Sequence, residues 1–315
     1  MRSSTGRVVA VAAAALAVVL AAVLVLRGHG GDPPAAGAGP GSRSAPRVTD
    51  TVAGLGTPAQ RSRAASPAPH ADPFGAAAAS LAVSRSGSVL AAVYDVRTGQ
   101  SWRFGDGPPQ AEASVVKLDI LETLLARNGA AVLPAGQRDL AQTMIEDSDN
   151  DAATSLWDAD DGAAGLTAYD ERAGLTRTVP SPCVACAGFA WPGWGLTTTV
   201  PGDQLTLLKQ LVVPGAHPLL SAAQRSYALS LMENVTSDQR WGVSGGVPAG
   251  VTVALKDGWL PLDDADTNWQ VNSVGWVSGD GRDYLIAVLT TGNPTEQYGI
   301  DTINALSAGI WSAMR

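Results

Sequence analysis

The stretch "AEASVVKLDI", residues 111–120, places Lys117 three positions after Ser114 in a chain that has only three lysines and eighteen arginines. Apolar residues then recur at helical spacing through "VKLDILETLLARNG", and the closing Asn-Gly is a helix stop. On a helix, Ser114 and Lys117 lie on the same face. A lysine amine can lose its proton when it is buried or placed near another cation, whereas arginine keeps its charge. The spacing therefore indicates a serine nucleophile beside a lysine base, although an ordinary surface lysine would fit the same short motif.

Two further motifs follow in the chain. "SDN" occupies residues 148–150, and "KDG" occupies residues 256–258 within the strand-like "VTVALKDGWL". With these, the chain resembles the class A β-lactamases and penicillin-binding proteins, whose signature is S-x-x-K, then S-D-N, then K-T-G. The resemblance covers most of residues 75–312. Two of the three lysines fall in these motifs, and the third, Lys209, is expected to be a solvated helix residue.

The resemblance implies four catalytic residues. Ser114 would be the acylated nucleophile, and Lys117 its general base or part of its proton relay. Ser148 would pass a proton to the leaving nitrogen. Lys256 would add positive charge that helps to keep Lys117 neutral and attracts an acidic substrate.

The resemblance also implies a set of substrate-binding residues. Asn150 would bind the amide of the substrate side chain, and Gly258 would leave space for the substrate against the strand edge. The backbone N–H groups of Ser114 and Trp259 would form an oxyanion hole. Asp257 occupies the position where the family has Thr or Ser for the substrate carboxylate, and an aspartate there would repel that group. The Trp259 side chain is a candidate substrate contact.

One family feature is missing. Class A β-lactamases carry a glutamate between the second and third motifs that activates water for deacylation, but residues 177–202 contain neither Asp nor Glu. We therefore expect an acyl-enzyme that forms and then persists, or that passes its acyl group to another acceptor. The interval between Lys117 and Ser148 is also short for the class, which would trim one wall of the cleft.

The order of elements predicts an α+β fold. Strands joined at the hairpin "RTGQ" (97–100) precede helical sequence from Ser114 to about Leu231, strands return after Gly245, and a helix closes the chain. This order is typical of an antiparallel β-sheet flanked by terminal helices with a helical insertion, as in β-lactamases and transpeptidases.

The N-terminal region predicts export. Residues 8–26 are continuously apolar and are bracketed by arginines, so residues 1–27 are expected to form a signal anchor with the body outside the cytoplasm. Cleavage would make the protein secreted instead. No cysteine follows the segment, which argues against a lipid anchor. Residues 28–72 are rich in Pro, Gly, Ala and Ser and predict a disordered linker, which leaves residues 73–315 as the hydrolase domain.

Charge and residue counts narrow the partners. A net charge of −8 without a lysine-rich run argues against nucleic acid. Three histidines are too few for a histidine-based zinc site, and neither a metal nor a cofactor is expected. Cys183 and Cys186 form C-x-x-C, which could be a redox motif or half of a zinc site, but a local disulfide outside the cytoplasm is the favoured interpretation.

The function predicted from the sequence is a membrane-anchored serine hydrolase of the β-lactamase type, acylated at Ser114 by a β-lactam or a related amide. The missing glutamate leaves open whether the acyl group is then hydrolysed. The alternatives are a D-alanyl-peptidase or acyl-binding protein with little turnover, and a catalytically inactive scaffold that binds the cell wall. In every case the expected partners are a β-lactam or D-alanyl peptide and the membrane, which the N-terminal helix would enter.

Overall fold

The computed structural model describes residues 70–315, apart from gaps at 76–77, 79–80, 82–83, 130–132, 214, 216 and 264–266. The predicted anchor, 1–27, and nearly all of the predicted linker, 28–72, lie outside the described residues. Within the described part of the chain, no helix combines the length and the apolar character needed to span a bilayer.

A five-stranded antiparallel sheet forms the centre of the fold, with the spatial order β2-β1-β7-β6-β5. A separate short pair joins β3 to β4. The strands in chain order are β1 (Ser88–Asp95), β2 (Ser101–Phe104), β3 (Gln110–Ala111), β4 (Thr198–Thr199), β5 (Thr252–Pro261), β6 (Trp269–Gly279) and β7 (Arg282–Asn293). The predicted hairpin joins β1 to β2.

In the part of the chain that the structure describes, six α-helices are inserted between β3 and β5, and one more follows β7. They are α1 (Val116–Arg127), α2 (Ala135–Glu146), α3 (Asn150–Ala159), α4 (Gly162–Ala173), α5 (Pro201–Val212), α6 (Ala222–Glu233) and α7 (Glu296–Ala313). The antiparallel sheet, the helical insertion and the closing helix confirm the predicted α+β architecture.

The sheet separates two hydrophobic cores, because successive side chains of a strand point to opposite faces. In β7, Leu285 and Ala287 belong to the core shared with the helical insertion. Ile286 and Val288 belong to the core that includes Ile303 of α7. Both faces of the central strand are therefore buried.

The same alternation in β5 decides where the third motif points. Ala254 packs in the core of the helical insertion, whereas Val253 and Leu255 pack in the core of α7. Lys256 has the parity of Ala254 and faces the insertion. Asp257 has the parity of Leu255 and faces the other side of the sheet.

Buried carboxyl groups form a cluster where α1, α4 and the segment before α1 meet. Glu112, Asp119 and Glu122 are each 0% exposed, and Asp170 is 3% exposed. The hydroxyl of Tyr169 donates a hydrogen bond of 2.6 Å to Glu122 Oε2. Burial raises the pKa of Glu112, Asp119 and Glu122 well above the ordinary range, and neighbouring carboxyl groups raise it further.

Burial likewise raises the pKa of Asp170 to about 7. The folded protein therefore keeps a proton on Asp170 that the unfolded chain releases near its ordinary pKa of about 4. The stability from this group is fully present below that unfolded value and is lost as the pH rises towards 7.

We predict that the free energy of unfolding falls between pH 5 and pH 8, and that Asp170→Asn reduces this fall by on the order of 2–3 kcal/mol, because the amide has no proton to lose. Urea unfolding at both pH values measures the change. Glu171→Gln, an exposed neighbour on α4, is the matched control and should keep the wild-type pH dependence. Equal pH dependence in the Asp170 variant and the wild type would contradict the interpretation.

Candidate active site

Ser114 lies in a short 3₁₀ turn, Ala113–Val115, between β3 and α1. The sequence predicted helical structure from Ser114 onwards, but the α-helix begins at Val116, so Ser114 precedes it. Ala113 adopts a φ of 53°, a region that L-residues rarely occupy. A strained residue directly before the nucleophile indicates that surrounding contacts hold the turn in place.

A buried amide network provides those contacts. The Asn272 side chain on β6 donates hydrogen bonds to the carbonyl oxygens of Ala111 at 2.8 Å and Glu112 at 2.9 Å. Gln270 in turn donates to Asn272 Oδ1 at 2.7 Å and to Gln110 Oε1 at 3.1 Å. Two side chains of the central sheet therefore fix the backbone that leads into Ser114.

Gly258 on β5 brings the edge strand of the sheet against the same turn. A Cβ atom at this position would lie 2.7 Å from the Ser114 backbone nitrogen and 2.6 Å from that of Val115. Both distances are too short for real contacts, so only glycine allows this approach. The third motif thus needs its glycine to bring the strand to the nucleophile, in addition to any space it leaves for a substrate.

Ser148 lies between α2 and α3, where its φ of 56° interrupts the helical sequence. Asp149 caps α3, because its Oδ1 accepts a hydrogen bond of 2.7 Å from the Ala152 N–H. This contact fixes the start of α3 directly after Ser148. The turn directs the Ser148 hydroxyl towards α1.

The amine of Lys117 is 0% exposed and lies at the centre of the site. Its Nζ is 3.0 Å from Ser114 Oγ, 3.0 Å from Ser148 Oγ and 2.8 Å from Asn150 Oδ1. It also contacts the Ser148 carbonyl oxygen. All three motif positions at 114, 148 and 150 therefore meet on one buried amine.

Lys256 completes the group from β5. It is 1% exposed, and its Nζ donates to Ser148 Oγ at 2.9 Å and to the Asp257 carbonyl oxygen at 2.9 Å. The Ser148 hydroxyl oxygen consequently bridges two amines. This arrangement gives a continuous hydrogen-bonded path from Ser114 through Lys117 and Ser148 to Lys256.

Both amines are easier to deprotonate than an exposed lysine. Burial, and secondly the positive charge of Lys256, lower the pKa of Lys117 to about 6. Burial lowers the pKa of Lys256 to about 8, while the Asp257 carboxylate opposes that shift. Near neutral pH, Lys117 is mostly neutral and Lys256 mostly charged, so Lys117 is the amine able to accept a proton.

Ser114, Ser148 and Asn150 open onto a cavity of about 180 Å³. Trp259 also lines this cavity, as the sequence suggested for a substrate contact. The remaining lining residues are Ala113, Asp147, Trp191, Pro192, Trp194, Gly195, Gln239 and Leu260. Three tryptophans therefore line the cavity onto which Ser114 opens.

Asp257 does not line this cavity. Its side chain is 1% exposed on the opposite face of β5, where it accepts a hydrogen bond of 3.3 Å from the backbone N–H of Trp241. Burial raises the pKa of Asp257, and the Ser273 hydroxyl and Lys256 oppose the shift. The sequence predicted that Asp257 would repel a substrate carboxylate. Because the Asp257 side chain lies on the other face of the sheet, it does not contact a group bound in the cavity.

Trp194 is the site residue that the sequence motifs missed. Its ring centre lies 5.0 Å from Lys117 Nζ, it is 2% exposed, and its indole N–H donates to Thr154 Oγ1 at 3.1 Å. It belongs to the interval 177–202, which contains neither Asp nor Glu and so offers no carboxylate for deacylation. The feature of the sequence that could have indicated Trp194 is the presence of two tryptophans in a segment without acidic residues.

A disulfide joins Cys183 to Cys186 in the same segment, with a Cα–Cα distance of 5.5 Å. A Cβ atom on Gly193 would lie 2.5 Å from the Cys183 carbonyl oxygen, and the Gly193 N–H donates to the Val184 carbonyl oxygen at 2.6 Å. The disulfide loop thus packs against the residue that precedes Trp194.

Comparison with known proteins identifies the family. A family model described as "Beta-lactamase enzyme family" matches residues 135–314, more than half of the chain. The chain belongs to the β-lactamase enzyme family. The match contains the SDN and KDG motifs and begins after Lys117, so the first motif of this family member is located by the fold rather than by the family match.

Solved β-lactamases share the fold at low identity. One from Chitinophaga pinensis has a TM-score of 0.62 at 19% identity, and covers 75% of this chain and 97% of its own. The class A enzyme of Mycobacterium abscessus has a TM-score of 0.60 at 22% identity, with coverages of 75% and 96%. Another, from Xanthomonas campestris, has a TM-score of 0.61 at 19% identity, with coverages of 76% and 97%.

A curated relative is more similar in sequence. "Putative lipoprotein LppW" of Mycobacterium tuberculosis and of Mycobacterium bovis is 30% identical over 213 residues, which are 66% of this chain and 64% of the relative. The match therefore spans less than two thirds of the length of these relatives.

We predict that acylation of Ser114 rises with pH through about 6 as Lys117 loses its proton, and falls above about 8 as Lys256 does. In Lys256→Gln the acid limb should move to higher pH, because the neighbouring positive charge that lowers the Lys117 pKa is gone. Acylation rates with a neutral activated ester between pH 4.5 and 9.5 measure both limbs.

The third lysine provides a matched control. Lys209 on α5 lies 3.9 Å from the ring centre of Tyr94, and its removal in Lys209→Gln should leave the acid limb in place. An acid limb at the same pH in Lys256→Gln and the wild type would show that Lys256 does not control the base.

Proposed function

We propose that this protein forms a covalent acyl-enzyme at Ser114 with amide or ester substrates, among them β-lactams or D-alanyl peptides. The observation that carries the proposal is the 3.0 Å contact between Ser114 Oγ and the buried Lys117 amine. A neutral amine at hydrogen-bond distance can take the hydroxyl proton as the oxygen attacks.

The remaining steps follow the hydrogen-bonded path. The Ser148 hydroxyl, held between Lys117 and Lys256, would donate a proton to the leaving nitrogen and recover one from Lys117. The N–H groups of Ser114 and Trp259 would stabilise the oxyanion, each with on the order of 3 kcal/mol in the transition state. Asn150, which lies at the cavity wall, would bind the amide of the acyl group.

Deacylation by water is the step that this site supports least. Trp194 covers the Lys117 amine, and the segment 177–202 provides no carboxylate to activate a water molecule. The acyl-enzyme should therefore persist, and an amine acceptor could replace water as in a peptidase or transpeptidase. This favours slow turnover over efficient β-lactam hydrolysis.

We place the domain outside the cytoplasm, tethered by the apolar segment 8–26 or released if that segment is cut. The mycobacterial relatives carry the word lipoprotein in their names, which supports attachment to a membrane. Either location would give the site access to cell-wall peptides and to β-lactams.

The first test is covalent labelling. Full-length protein is incubated with benzylpenicillin or with a neutral phenylacetyl thioester, and intact mass is followed over time. We expect one acyl group on the wild type, which persists after excess donor is removed, and none on Ser114→Ala. Ser155→Ala, an exposed serine on α3, is the control and should label normally. Failure of both donors to label the wild type, or equal labelling of Ser114→Ala, would refute the proposal.

The second test concerns the lifetime of the adduct. Trp194→Leu should shorten it severalfold, because water then reaches the acyl ester beside Lys117. Trp191→Leu is the matched control, since Trp191 lines the cavity and is 44% exposed but does not cover the amine. Mass spectra after removal of the donor give both rates, and thermal unfolding confirms folding. Equal lifetimes in Trp194→Leu and the wild type would exclude Trp194 as the barrier to water.

A further inference from the structure

The charge of the cavity wall differs from what an anionic substrate needs. Among the described residues that line it, Asp147 alone carries a charged side chain. Asp147 is exposed, and no described Lys, Arg or His lies within ion-pair distance of its carboxylate. The cavity mouth therefore carries an exposed carboxylate that has no ion-pair partner among the described residues.

The two lysines lie behind the cavity wall, so neither amine is exposed to pair directly with a charged group in the cavity. Lys117 is 0% exposed and Lys256 is 1% exposed, and neither lines the cavity. Lys117 is mostly neutral near neutral pH, and the charged Lys256 amine donates to Ser148 Oγ at 2.9 Å and to the Asp257 carbonyl oxygen at 2.9 Å. The positive charge expected to attract an acidic substrate is thus committed to the protein.

Arg240 follows Gln239 of the cavity wall in the chain, but its guanidinium is also committed. It donates to the carbonyl oxygen of Glu233 at 2.9 Å and to that of Val253 at 3.1 Å. The described part of the cavity wall consequently offers no side-chain cation to a substrate carboxylate.

Aromatic faces accompany the carboxylate. Trp191 is 44% exposed, and Trp259 is half-buried with its ring 6.0 Å from that of Trp241. An indole face attracts alkylammonium groups, and the attraction adds to that of a nearby carboxylate. The cavity combines the two features that favour an organic cation.

Asp147 is also placed beside the reacting atoms. It directly precedes Ser148, the residue that would protonate the leaving group, and its backbone carbonyl accepts a hydrogen bond of 2.6 Å from Gln239. Resting on the proposed acyl-enzyme function, we propose that the leaving group, and by reversal the acceptor amine, carries a positive charge that Asp147 selects. Asp147 is thus a specificity-determining residue, and the substrate class is amides or esters of cationic amines or alcohols.

Three phenylacetyl thioesters test this selection. Their leaving thiols end in a trimethylammonium group, in the isosteric tert-butyl group, or in a carboxylate. Ser114 Oγ bonds to the carbonyl carbon, the C–S bond breaks, and the serine proton passes through Lys117 and Ser148 to the leaving thiolate. A thiol-reactive dye then records the burst of thiol released by full-length protein, which gives the acylation rate.

We expect the cationic thioester to acylate about five- to tenfold faster than the neutral one, and the anionic thioester to be slowest. In Asp147→Asn the ratio of cationic to neutral rates should fall to about twofold, the part that the indoles contribute. Asp151→Asn, an exposed carboxylate on α3 outside the cavity wall, is the matched control and should keep the wild-type ratio.

The outcomes separate this inference from the function on which it rests. Acylation of Ser114 by all three thioesters at equal rates, or a ratio unchanged in Asp147→Asn, overturns the charge selection and leaves the acyl-enzyme chemistry intact. Absence of thiol release and of any adduct with the neutral thioester overturns the acyl-enzyme function itself.

Discussion

The site depends on keeping the Lys117 amine out of water. A charged ammonium in this position would lose several kcal/mol of hydration, so burial favours the neutral form. The oxygens of Ser114, Ser148 and Asn150 provide the partners that a buried amine requires. The positive charge of Lys256 also favours the neutral form of Lys117, because two charged amines around one hydroxyl repel each other. Lysine is needed here because arginine would remain charged.

The sheet keeps this geometry in place from the other side. Gly258 lets β5 contact the backbone at Ser114, while Asn272 on β6 holds the carbonyl oxygens at 111 and 112. These contacts are made by strands whose two faces are buried, so they cannot relax without disturbing both cores. Such rigid support is what permits Ala113 and Ser148 to adopt φ values near 55°. The backbone strain therefore lies directly before Ser114 and at Ser148, the residues proposed as the nucleophile and the proton relay.

The sequence predicted the parts that local pattern controls. Helical spacing predicted α1, the strand-like sequence after Gly245 predicted β5 to β7, and the order of the three motifs indicated the family. It could not predict that the Trp194 ring covers Lys117, since that contact joins residues 77 positions apart in a segment without periodicity. The substitution at 257 was expected to repel a substrate, but strand alternation turns that side chain to the α7 face of the sheet. The carboxyl cluster was also missed, because Glu112 and Asp170 meet only through tertiary packing.

The buried carboxyl groups and the two buried lysines, Lys117 and Lys256, favour opposite changes of pH within one domain. Lys117 must be neutral to accept a proton, which favours a pH above about 6, while Asp170 must be protonated to stay buried without cost, which favours a pH below about 7. Lys256 keeps its charge up to about pH 8. Both shifts have the same cause, because a helical core dry enough to neutralise a lysine also neutralises the carboxyl groups that share it. The proposed reaction and the stability from Asp170 thus favour overlapping pH values near neutrality. A more hydrated core would raise the pKa of Lys117 and lower that of Asp170 together.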